Sequence, residues 1–122
     1  MLTIKNILMV GVGGMIGSIL RFTITILVGN QSFPFATFCI NIIGSFIIGI
    51  VLGMAVHQFS SNTLRLFLAT GICGGFTTFA AFSIESMQML QQQKYVVAAT
   101  YITGSIVLSI AAACTGFYIS RT

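Results

Sequence analysis

The sequence predicts an all-α membrane protein of four transmembrane helices, and three observations carry that prediction. The 122-residue chain is 57% hydrophobic and only 5% charged, where a soluble domain carries about 25% charged residues. Its mean hydropathy is +1.07. Its few charges bound apolar runs that approach or exceed the roughly 20 residues needed to cross a bilayer. A soluble enzyme, a nucleic-acid binder and a disordered tail are excluded by the same composition, because so few charges cannot cover a water-exposed surface. The length allows one domain, residues 1–122.

The first helix is expected at about 4–28. It outruns a signal-peptide core and has no clear small-residue cleavage site before Arg21. The uncharged run 22–64 holds its polar residues at Gly29-Asn30-Gln31-Ser32, where Pro34 marks a turn, and at His57-Gln58 with Ser60-Ser61-Asn62. The second helix, about 36–56, lies between them. A third, about 64–89, follows from the charge-free stretch between Arg65 and Glu85. A fourth, about 96–119, follows from the stretch between Lys94 and Arg121. The runs do not alternate as barrel strands must.

The net charge of +4 comes from Lys5, Arg21, Arg65, Lys94 and Arg121, which are scattered singly. No basic cluster exists to grip phosphates, so no nucleic-acid partner is expected. Cys39, Cys73 and Cys114 sit in apolar runs at spacings that fit neither disulfides nor a metal site, and read as small hydrophobes. Gly13, Gly14 and Gly17 in the first helix and Gly44, Ser45 and Gly49 in the second are close-packing residues. So many contact faces on so small a bundle suggest an oligomer. With four crossings, one side holds Lys5, Arg65 and Arg121, the other Arg21 and Lys94. That is a weak bias for a topology set by Lys/Arg asymmetry. The subunit can insert either way up and build an antiparallel pair.

The third segment departs most from a plain helix: Gly74-Gly75-Phe76-Thr77-Thr78 places glycines and threonines at mid-membrane, where they favour a break. A broken helix frees carbonyls that must be buried or coordinate something, as half-helix ends do in ion sites. A continuous glycine-packed helix is the alternative. Phe79 and Phe82 share a face and either touch lipid or turn positive ring edges to an anion. Asn41 either bonds across helices or donates its amide to an anion. Glu85, the only carboxyl side chain, is either a functional intramembrane group or a residue facing headgroups.

Three motifs then carry a family resemblance. Gly13-Gly14-x-x-Gly17-Ser18-x-x-Arg21, Thr37-x-x-x-Asn41-x-x-Gly44-Ser45-Phe46 and Gly71-x-Cys73-Gly74-Gly75-Phe76-Thr77-Thr78-Phe79 resemble the Fluc (CrcB) fluoride channels over the whole chain. The resemblance implies antiparallel dual-topology homodimers with two fluoride pores, embedded in a cell inner or plasma membrane, and a structural sodium ion at the dimer centre. It implies no enzyme activity. It places the sodium on the backbone carbonyls of Gly74 and Thr77, the pore at Asn41, Phe79, Phe82, Ser105 and Tyr101, and a vestibule at Arg21 and Glu85. One departure stands out. The family usually has Ser-Thr between the two rings, and this chain has Ala80-Ala81.

The expected function is passive fluoride export. Hydrogen fluoride enters as a neutral molecule, ionises in the cytoplasm and is trapped, and no P-loop or acidic relay couples energy. A small dual-topology multidrug exporter is the alternative of another class, but it needs a glutamate in the first helix, which holds no acid. A non-conducting partner subunit of a heterodimeric channel is a third reading, motivated by Ala80 and Ala81.

Overall fold

The computed structural model describes residues 2–29, 32–56 and 61–122. Its described residues form helices and connections, with four apolar helices long enough to cross a membrane: α1 (Ile4–Val28), α2 (Phe35–Ala55), α3 (Asn62–Gln91) and α4 (Tyr95–Ser120). Of the two expected turns, Asn30, Gln31, His57, Gln58 and Ser60 lie outside the described residues.

Local chemistry sets the helix ends. Thr3 caps α1, its hydroxyl accepting from Asn6 N–H at 3.2 Å. Gly29 closes α1 at φ 74°, a left-handed value that favours glycine. Ser61 caps α3 by accepting from Leu64 N–H at 3.1 Å. The third helix runs two residues past its expected end because its stop signal is a hydrogen-bond motif. Lys94 N–H reaches back to Met89 C=O at 2.9 Å and Gln93 N–H to Leu90 C=O at 3.1 Å. That pattern is a Schellman stop, with Gln93 at φ 59° where glycine is usual. Gln93→Gly is therefore expected to stabilise the protein by up to about 1 kcal/mol, since an L side chain is strained there. An unchanged or lower melting temperature in detergent would count against this.

Helices adjacent in sequence are not the ones that pack most closely. The main pairs are α1 with the first half of α3, and α2 with α4. Both pairs are parallel. Along α1, Gly13 faces Phe67 and Gly71, and Gly17 faces Ile72 and Phe76. Along α2, Phe38 meets Gly104, Gly49 meets Ala113 and Gly53 meets Phe117. At Gly17 and Gly49 a methyl group would strike the backbone carbonyls of Ile72 and Ala113. Glycine is what allows backbones to approach this closely in lipid.

The buried interior is small. One cluster joins Ala36, Ile40 and Phe76, and another joins Met89, Ala98 and Tyr101, with Phe33, Phe38 and Phe82 against it. The second cluster docks the last part of α3 on α4. Large apolar side chains such as Leu8, Ile19 and Val107 face outward, as a lipid-facing surface requires.

Within α3 the backbone changes character twice. Residues Leu66–Cys73 form π-helical turns, with Gly74 N–H donating to Ala69 C=O five residues back. After Gly74–Phe76 the chain is extended at Thr77 (φ −79°, ψ 155°) and Thr78 (φ −149°, ψ 114°), and helix resumes over Phe79–Gln91. π-turns are uncommon and often mark functional positions.

Candidate functional site

The extended pair Thr77–Thr78 organises the site. Thr77 turns inward on its own helix, its N–H and its hydroxyl both donating to Cys73 C=O at 2.9 Å. Thr78 caps the following helix, its hydroxyl accepting from Ala81 N–H at 3.1 Å. Two other helices contribute partners. Arg21 of α1 donates through Nε to Gly75 C=O at 3.1 Å. Asn41 of α2 accepts from Thr78 N–H at 2.8 Å and donates to Thr78 C=O at 3.2 Å. The carbonyls of Gly74 and Thr77 accept no hydrogen bond among the described residues. A side chain at Gly44 would collide with the Thr77 methyl, so that glycine lets α2 lie against the extended pair.

An open cavity of about 440 Å³ lies beside this pair. It gathers Asn41, Gly74, Thr77, Phe79, Phe82 and Ser105 of the expected site residues, and adds Ser45, Thr78 and Ser109. Its lining includes no charged side chain. The Phe79 and Phe82 rings lie 5.6 Å apart at 43°; Phe79 is 79% exposed, whereas Phe82 is half-buried. Tyr101 stands behind Phe82, ring centroids 5.3 Å apart, and edge-on to Phe33 at 5.5 Å. The hydroxyls of Tyr101 and Ser105 are buried and have no hydrogen-bond partner. Such groups are costly unless satisfied by water or a ligand.

Glu85 belongs to a second cavity, about 280 Å³ and more polar, with Thr25, Ser32, Thr37, Gln88, Gln92 and Lys94 in its lining. Its carboxylate accepts from the Thr37 hydroxyl at 2.5 Å. Arg21 lines neither of these cavities. Of the two residues expected at a vestibule, Glu85 thus lines the second cavity, whereas Arg21 meets the Gly75 carbonyl.

Ser45, Ser109, Thr78, Lys94 and the Thr37 hydroxyl were not among the residues expected at a pore, vestibule or cation site. A signal for three of them existed. Thr37, Asn41 and Ser45 recur every four residues on α2, as Tyr101, Ser105 and Ser109 do on α4, and that spacing places each set on one helix face. Lys94 had no comparable signal, since it reaches the second cavity from a turn.

A sequence model described as CrcB-like protein, Camphor Resistance (CrcB), matches residues 8–117. The chain belongs to this family. Proteins named fluoride-specific ion channel FluC resemble it along nearly their whole length. The one from Phocaeicola vulgatus is 41% identical over 96% of this chain and 99% of its own. The one from Flavobacterium psychrophilum is 40% identical over 96% and 98%, and that from Azobacteroides pseudotrichonymphae 37% over 97% and 98%. With four membrane-length apolar helices, this CrcB-like chain is a multi-pass membrane protein. Its relatives are named for ion transport, not for catalysis.

Proposed function

We propose that the chain is a subunit of a passive fluoride-selective channel that lowers cytoplasmic fluoride in a cell whose inner or plasma membrane it spans. The observation that carries this reading is the uncharged cavity beside the α3 interruption. It offers an anion an amide, hydroxyls and ring edges, with no carboxylate to repel it and no ammonium to trap it. The names of the full-length relatives support the choice of fluoride. Asn41, Phe79, Phe82, Ser105 and Tyr101 are the proposed pore residues. The purified chain, alone in fluoride-loaded liposomes, should release fluoride and retain chloride. Equal release of both ions, or none of either, would overturn the reading.

The working unit of this reading is an antiparallel homodimer with two pores. The 79% exposure of the Phe79 ring supports a second copy covering it, and the near-even spread of Lys and Arg supports dual insertion. Tags at the C-terminus, labelled in intact cells, should be found on both sides of the membrane. A single orientation throughout would rule the antiparallel pair out.

The interruption falls about halfway along the 30-residue α3, and we place it at mid-membrane. The free carbonyls of Gly74 and Thr77 fit a hard monovalent cation, because they are uncharged oxygen donors left without hydrogen bonds. Among the described residues no three His, Cys, Asp or Glu side chains gather for a transition metal. Gly74 and Thr77 of two subunits would hold a sodium ion, which would supply positive charge between the two pores. A high-resolution structure in sodium should then show density bounded by carbonyls on the two-fold axis; a carboxylate ligand there would contradict the assignment.

The second reading, a subunit that conducts only beside a different partner, is favoured by Ala80 and Ala81. No hydroxyl stands between the two rings, while those of Tyr101 and Ser105 lack partners. It requires that this chain alone be silent and that a Ser-Thr-bearing partner restore flux.

A further inference from the structure

Where α3 becomes extended, the peptide groups of Thr78 leave helical hydrogen bonding in surroundings with little water, and such groups must be paired. One side chain pairs both. Asn41 Oδ1 accepts from Thr78 N–H at 2.8 Å, and Asn41 Nδ2 donates to Thr78 C=O at 3.2 Å. Both bonds go to the same residue, as between hydrogen-bonded residues of antiparallel strands.

We propose that Asn41 is a positioning residue whose amide replaces the missing helical partners of Thr78 and holds the α3 interruption in place. By fixing Thr78 it also fixes where Phe79 starts the next helix and where the neighbouring Thr77 carbonyl stands. Only an amide head offers a donor and an acceptor side by side; a carboxylate offers acceptors alone, and leucine offers neither. The amide cannot be reversed, since that would set NH2 against N–H and oxygen against oxygen. One hydrogen of the Asn41 NH2 group remains after the bond to Thr78, and Asn41 lines the larger cavity. The clamp therefore sets the direction of the one donor that the amide has left for an ion. The effect on flux rests on the channel reading above, but the clamp itself does not.

Site-resolved hydrogen–deuterium exchange on the full chain in lipid tests this. Asn41→Leu should speed exchange at the Thr78 amide by about ten- to a hundredfold, with amides in the middle of α1 and α4 unchanged. Asn41→Asp keeps an oxygen for Thr78 N–H and should leave that amide protected. Both variants should lose fluoride flux. Equal exchange at Thr78 in all three proteins, or an equal rise all along α3, would overturn the proposal. If Asn41→Leu does not fold, the unaltered protein still decides. A nuclear magnetic resonance coupling through the hydrogen bond from Thr78 nitrogen to the Asn41 side-chain carbon is expected, and its absence would be fatal. Should the unaltered chain pass no fluoride while Thr78 behaves as described, the channel reading falls and the clamp stands.

Discussion

Phe82→Leu should abolish fluoride flux through the reconstituted protein while leaving it folded. Fluoride is small and strongly hydrated, so a selective path must replace its lost water with several close, weakly positive contacts. A ring edge supplies these without holding the ion as an ammonium would, because it carries only partial charge. Phe82 is placed for this. It lines the uncharged cavity, lies 5.6 Å from Phe79, and is backed by Tyr101 at 5.3 Å. With Ala80 and Ala81 between the rings, little else in that turn can donate, so the rings carry more of the task here than beside Ser and Thr. Leucine keeps apolar bulk and removes the edge. The cost in stability should be modest, about 1–2 kcal/mol, since the site is only half-buried. Flux measured against empty liposomes, with a melting curve beside it, separates lost conduction from lost fold. Normal flux in this variant would show the rings to be filler.

Gly17→Ala should destabilise the fold more than any other single-methyl change in α1. The added methyl would collide with Ile72 C=O and come within 2.7 Å of Phe76 N and 3.1 Å of the Gly75 carbonyl carbon. All three are backbone atoms, so no rotamer change relieves them, and α1 must move away from α3. The Arg21–Gly75 bond lies one turn further along the same contact and would lengthen with it. Overpacking of this kind costs about 1–3 kcal/mol, more than the roughly 1 kcal/mol that alanine gains over glycine in a helix. Gly11→Ala is the control. Nothing lies within 4 Å of its added methyl, so only the propensity gain remains and stability should hold or rise. Equal unfolding midpoints for the two variants would show that α1 does not rest on α3 through Gly17.

Helix existence was legible because hydropathy and charge spacing are local properties. Four apolar runs, set apart by Arg65, Lys94 and Arg121 and by the polar turn residues around Pro34 and Ser61, read as four spans. The order of motifs from Gly13 to Phe79 carried the family, and the gathering of Asn41, Phe79, Phe82 and Ser105 at one cavity follows the positions that the resemblance marked. The Schellman stop at Gln93 was not legible, since a glutamine there gives none of the usual glycine signal.

By itself, the sequence determined that this protein lives in a membrane, how many times it crosses, and which family it belongs to. Those follow from side-chain solubility and residue order alone. Only the tertiary structure decided that α1 lies parallel to the first part of α3 and α2 parallel to α4, that Arg21 donates to the Gly75 carbonyl while Glu85 accepts from Thr37, and that Thr78 pairs both its peptide groups with Asn41. The contacts named for these join residues between 37 and 66 positions apart. A polar side chain in an apolar helix must find a partner, but its residue type fixes only what it can donate or accept. Which backbone comes within hydrogen-bond reach of it depends on which helix faces the glycines allow to close.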